Sequence, residues 1–221
     1  MRRLNLIVFC LIAISLPAPC VRAQFIGPAT HDDFRDTTIL RPPTGSKVAI
    51  LVFEDLGCPG CARAHPIELQ AAEQFHVPLM RHDFPLPIHV WTFEGAVYAR
   101  YLQDKVSPKL ADAFRTDVFH DQAAIDSKDA LHQYVQSWFQ KHGQKVPFVL
   151  DPDGALAAKV QADVDLGKRL NVLWTPTLVV VTRNNYQVVC GTKELLDPTK
   201  LVPILRAAIQ QTMTAPGAKH K

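Results

Sequence analysis

The chain has 221 residues, 48% of them apolar and 20% charged, with 17 Pro and 10 Gly. This is the make-up of an ordinary folded domain long enough to bury a core, and it excludes a disordered chain, a collagen-like repeat and a polytopic membrane protein. The net charge of +3 leaves no nucleic-acid footprint, and five cysteines are too few for a disulfide-built scaffold of this length.

The N-terminus reads as a secretory signal. Arg2 and Arg3 form a positive start and Leu4 to Leu16 is almost wholly apolar. Pro17 and Pro19 then break the run, and Val21-Arg22-Ala23 offers a small-x-small cleavage site. The apolar run is too short to span a bilayer, which takes about 20 residues. Acylation at Cys20 is disfavoured because Pro19 stands where a small residue is expected. Cleavage after Ala23 removes Arg2, Arg3 and Arg22 from the 24 basic residues and none of the 21 acids, so the mature chain is balanced. It also removes Cys10 and Cys20 and leaves Cys58, Cys61 and Cys190 in an oxidising, extracytoplasmic compartment.

Residues 24–46 are polar, contain Pro28, Pro42 and Pro43, and predict an extended N-terminal arm. Lys47 to Phe53 is an apolar, β-branched run that predicts a buried strand ended by Gly57 and Pro59. Ala62 to Phe75 predicts a helix with Ala64, Leu69, Ala72 and Phe75 inward. Val77 to Phe84 predicts a second strand closed by Pro85 and Pro87. Residues 91–142 predict three helices, divided near Ser107-Pro108 and near Ser127. Val146 to Leu150 is a short apolar strand or loop, and Asp151-Pro152-Asp153 starts a helix over Ala155 to Leu170. Thr177 to Val181 and Tyr186 to Cys190 predict strands joined by a turn at Asn184-Asn185. Asp197 caps a last helix from Pro198 to about Gln211, and residues 212–221 predict a disordered tail. The order is that of an α/β fold with an inserted helical subdomain.

The chemistry is concentrated in Cys58-Pro59-Gly60-Cys61. Placed between a strand and a helix, the first sulfur meets the unpaired N–H groups and partial positive charge of the helix start, which favours its thiolate. Cys61, one turn in, is the buried resolving thiol. Half of a metal site is the competing reading. Cys58, Cys61 and His65 fall one ligand short of a structural zinc, there is no second C-x-x-C, and no metal is assigned. The nine histidines are scattered, without evident ligand spacing, and read mostly as surface residues. His89, after the DFPLP segment, is the one placed near the site, without an assigned role. Cys190 reads as a buried apolar cysteine, or else as a third thiol near the site. Pro66 lies within the first helix, where it predicts a kink. Pro176 opens an apolar strand in Trp174-Thr175-Pro176-Thr177, which suits a cis peptide bond at a sheet edge.

With these pieces in place, the sequence resembles the thioredoxin superfamily and, within it, the exported DsbA-like branch. The matching segments are VAILVFEDLGCPGCARAHP, RHDFPLP, LGKRLNVLWTPTLVVV and the terminal hairpin and helix, with the helical insertion at about 91–142 and the domain spanning 47–211. The resemblance implies that Cys58 attacks and accepts disulfides, that Cys61 is its partner, and that the pair serves as the redox group with no other cofactor. It implies that Pro176 forms the cis-proline loop, that Thr175 offers backbone hydrogen bonds to a substrate peptide, and that Gly191 borders the site. It further implies folding exported proteins with free thiols as substrates, and a membrane partner of the DsbB or vitamin-K-epoxide-reductase type.

The sequence departs from the family at three places. The buried acid often found six residues before the first Cys is here Val52, which leaves Glu54 and Asp55 as candidates for a proton relay. The usual Gly two residues before the cis-Pro is Trp174, which either widens an apolar substrate groove or packs on the inserted helices. Pro59 and Gly60 replace a dipeptide that contains His in strongly oxidising relatives, which predicts a less oxidising couple. A disulfide donor is the leading expectation. An exported reductase or isomerase, and a non-catalytic binding module of the same fold, are the alternatives.

Overall fold

The structure, a computed structural model, describes residues 34–190 and 197–214. The seven residues of β1 (Val48–Glu54) are buried throughout, which identifies a central strand covered on both faces. It pairs in parallel with β2 (Leu79–Asp83) and antiparallel with β3 (Thr177–Thr182). β3 in turn pairs antiparallel with β4 (Tyr186–Cys190), giving the sheet order β2-β1-β3-β4.

Alternation along β1 assigns the two faces. Val48, Ile50 and Val52 join Ala64 and Ala71 of α1 (Pro59–Phe75) and Leu201, Leu205 and Ala208 of α6 (Leu201–Thr214). Ala49, Leu51 and Phe53 meet Phe84 and Leu170, the last residue of α5 (Ala155–Leu170). Residues 34–46 lie against this second layer: Leu40 is buried in it, Arg35 N–H donates to the Leu170 carbonyl, and Phe34 stacks on Tyr186.

The insertion is α2 (Thr92–Tyr101), α3 (Pro108–Asp121) and α4 (Lys128–Lys141), with a π-helical turn, Leu102–Val106, extending α2. The divisions fall where the sequence places them. The Ser107 and Ser127 hydroxyls accept from the N–H of Leu110 and Ala130 as N-caps, and Pro108 takes the first helical position. Gly154 is the N-cap of α5, and the Asp151 carboxylate, three residues before it, accepts from the N–H groups of Leu156 and Ala157 in the first turn, while Val146 to Leu150 is loop. The core of the insertion includes Phe114, Leu131, Val135, Trp138 and Phe139, and it is continuous with Leu56, Cys58 and Cys61. The cysteine loop is therefore one wall of the helical core.

The structure departs from the sequence reading at the last helix and along α1. A 3₁₀ turn, Pro198–Lys200, precedes α6, which continues to Thr214. In α1 the buried stripe is Cys61, Ala64, His65, Glu68 and Ala71, so Leu69, Ala72 and Phe75 are only half-buried. Two ionisable residues take inward places because α1 faces Arg81 and Arg115 as well as the apolar sheet. The helix is continuous through Pro66.

Candidate active site

The site is assembled at the C-terminal end of β1. Cys58 is the N-cap of α1 and Pro59 its first residue, where the missing N–H costs no hydrogen bond. Cys58 is 9% exposed and Cys61 1% exposed, and both stand as free thiols. The Thr175–Pro176 peptide is cis, and Pro176 is buried. Its loop brings the Thr175 carbonyl within 3.2 Å of Cys58 Sγ, which donates to it. Gly60 makes this approach possible: a Cβ there would stand 3.1 Å from Pro176 Cδ and 3.4 Å from Cys58 Sγ.

The two thiols are pushed apart in acidity. Cys58 is lowered to about 5, chiefly by the hydrogen bond it receives from the Cys61 thiol. Burial opposes this, and the nearby Thr175 side chain and the backbone N–H groups of Cys61 and Gly60 reinforce it. Cys61 is driven well above the ordinary thiol value by burial, by its bond to Cys58 and by the Cys58 charge. A thiolate at the rim above a protonated thiol is the arrangement that nucleophilic attack followed by internal resolution needs.

Glu54 and Asp55 are both buried but have different surroundings. Glu54 lies on the same face of β1 as Val52, two residues nearer the cysteines, and its charge adds to the rise of the Cys61 pKa. Burial raises its own pKa against the pull of Arg115 and Arg81. Arg115 Nη1 stands 3.3 Å from Glu54 and 2.7 Å from Asp83. Asp55 sits past the end of the strand and organises the loop. Its backbone N–H points at Cys61 Sγ at 3.4 Å, and its carboxylate accepts from Gly57 N–H and Leu86 N–H and meets His89 Nδ1 at 2.6 Å.

The remaining candidates are placed as follows. Trp174, two residues before the cis-proline, is 49% exposed beside exposed Leu173 and is not among the residues packed in the helical core. Cys190 is buried in the layer between the sheet, α1 and α6. Gly191, the signal segment and residues 215–221 lie outside the described residues.

The expectation of surface histidines fails at His65, which is buried against Phe119 and hydrogen-bonded to Thr116; burial lowers its pKa to about 4. Its ring groups with Glu54 and Glu68 and not with the cysteines. The Arg115 and Arg81 guanidinium groups already supply the positive charge beside that carboxylate. The sequence reading also missed Gln122, whose side-chain amide donates to the carbonyls of Leu56 and Cys58. A Gln just past a surface helix has no local signal for such a role.

A thioredoxin-like domain family matches residues 35–207. Among solved structures, the fold is similar to the oxidoreductase NmDsbA1 from N. meningitidis (18% identity, 78% of this chain and 89% of that one, TM-score 0.55). It is also similar to Proteus mirabilis ScsC (17% identity, 77% and 71%, TM-score 0.57) and to Pseudomonas aeruginosa DsbA2 (17% identity, 81% and 95%, TM-score 0.53). No curated protein sequence matches the chain.

Proposed function

Since the chain belongs to the thioredoxin-like family and has the DsbA-like fold with its helical insertion, we propose that it is an exported thiol-disulfide oxidoreductase acting mainly as a disulfide donor. The observation that carries this reading is the pairing of a Cys58 thiol lowered to about 5 with a buried, protonated Cys61, set against the cis-Pro176 loop. A stabilised Cys58 thiolate favours the reduced pair, which makes the oxidised pair a willing donor.

In the donating direction a substrate thiolate attacks Cys58 Sγ of the Cys58–Cys61 disulfide. The electron pair of the broken bond leaves on Cys61, which takes up a proton. A second substrate thiolate attacks the substrate sulfur of the mixed disulfide and expels Cys58 as thiolate, so the substrate is oxidised and the pair reduced. Exposed Ile88, Val90, Leu173 and Trp174 fit substrates with apolar, unfolded segments. The cis-proline loop beside Cys58 fits an extended peptide backbone docking next to the sulfur. The signal-like N-terminus supports export; turnover requires an oxidant, and the family resemblance supports a quinone-linked membrane protein of the DsbB or vitamin-K-epoxide-reductase type in that role.

The test is the equilibrium of the Cys58–Cys61 pair against glutathione in the mature protein. The expected potential lies between the values of about −120 mV for strongly oxidising DsbA and about −270 mV for thioredoxin, on the oxidising side of the midpoint. A value at the thioredoxin end makes the protein a reductase. No exchange at all, in a folded protein, rejects catalysis.

A further inference from the structure

The loop between β2 and α2 carries a histidine whose position is determined from both sides. His89 Nδ1 is 2.6 Å from the carboxylate of Asp55, whose side chain is wholly buried. That carboxylate already accepts the N–H groups of Gly57 and Leu86, so it is held in place independently of the histidine. The His89 backbone is pinned as well: its N–H donates to the Leu86 carbonyl, and its own carbonyl accepts from the N–H and hydroxyl of Thr92. The ring lies on Gly57, the residue before Cys58, so closely that a Cβ at Gly57 would come within 2.9 Å of His89 Cγ. An acceptor on Nδ1 places the proton there and leaves Nε2 as the basic nitrogen, on a side chain still 23% exposed.

We propose that His89, oriented by Asp55, is the general base that takes the proton from a substrate thiol arriving at Cys58. This rests on the reading of Cys58–Cys61 as a thiol-disulfide exchanger. The need is chemical: an ordinary cysteine thiol ionises near pH 8.5 and is mostly protonated at neutral pH, whereas only the thiolate attacks. The motif dipeptide, Pro59-Gly60, supplies no base, and Glu54 and Glu68 are sealed beneath the pair. The titratable group held against the ring is Asp55, just past the end of β1, with Gly57, the neighbour of Cys58 in the chain, and Thr92 of α2 on its other sides.

In the step, the substrate S–H proton passes to His89 Nε2 and the freed sulfur pair forms the bond to Cys58 Sγ. The Cys58–Cys61 bond breaks, and its electrons leave on Cys61, which is protonated from solvent. His89 returns its proton to water before the next thiol arrives. Asp55 serves both ends, since its carboxylate orients the base while its N–H faces the leaving sulfur. Asp55 is thus a positioning residue and His89 the catalytic one.

The test is single-turnover oxidation of two thiols by the oxidised protein: glutathione, largely protonated at pH 7, and thionitrobenzoate, already a thiolate. His89→Ala is expected to slow glutathione oxidation about tenfold or more while leaving thionitrobenzoate unchanged. Added imidazole should restore the glutathione rate. His89→Gln, which keeps the side-chain volume and a donor for Asp55, should show the same split. Equal slowing of both thiols, or of neither, overturns the proposal while leaving the exchanger reading intact. A wild-type protein that oxidises neither thiol overturns that reading and this inference with it.

Discussion

The acidity of Cys58 depends on one missing side chain. Gly60 has no Cβ, and the cis-proline loop closes to within 3.1 Å of where one would be. That approach sets Thr175, whose side chain is one of the influences lowering Cys58, beside the sulfur. Gly60→Ala is therefore expected to push the Pro176 loop outward, raise the Cys58 titration midpoint above 5 and cost about 1–3 kcal/mol of stability, the usual penalty for overpacking. Thiolate absorbance against pH and denaturant melts measure the two effects. An unchanged midpoint would show that the Cys61 hydrogen bond and the helix start suffice alone. The glycine is legible in the sequence as part of the motif, but its reason is not, because its neighbour is more than a hundred residues away.

At the scale of elements, the insertion is tied to the sheet by charge as well as by apolar packing. Arg115 of α3 reaches Glu54 of β1 and Asp83 of β2. Asp83 also meets Arg100 of α2, and Arg100 meets Asp163 of α5, which in turn holds His82. Burial would raise the Asp83 pKa, but Arg115 and Arg100 together outweigh it and hold the carboxyl below the ordinary range. Removing one partner from such a network leaves the others charged and unsolvated. Arg115→Ala is expected to destabilise the fold by about 3–5 kcal/mol, measured by urea denaturation, whereas an exposed ion pair such as Lys159–Asp104 is worth about 1 kcal/mol or less. A loss near the surface value for Arg115→Ala would mean that water enters the cluster. None of these pairings is legible locally, since they join five elements from across the chain.

For the whole molecule, the redox state of two sulfurs is linked to global stability. The Cys58 pKa in the folded, reduced protein is about 5, far below its ordinary value of 9.0. A group depressed by folding contributes stability that is complete above its unfolded pKa and lost as pH falls through its folded pKa. Cys61 is shifted upward, so its contribution is present below 9.0 and fades only at higher pH. Between about pH 5 and pH 9 the Cys58 contribution therefore governs, and the reduced form should gain stability relative to the oxidised form as pH rises. Paired denaturation curves of the two forms at several pH values check this. A difference independent of pH, or one of opposite slope, in this window would refute the low Cys58 pKa.

The sequence by itself determined the elements and the chemistry. Apolar, β-branched runs marked the strands, Ser107, Ser127 and Asp151 announced the helix starts, and Cys58-Pro59-Gly60-Cys61 named the reacting atoms, because each of these signals lies within a few residues of its cause. Only the tertiary structure decided that Asp55 turns inward to hold His89 and that Glu54 shares a face with Val52. It also decided that His65 and Glu68 are buried near guanidinium groups and that Trp174 is left exposed. These depend on which distant side chains meet once the sheet is paired, and burial, charge and hydrogen-bond partners at such positions are properties of that assembly and not of any local stretch of chain.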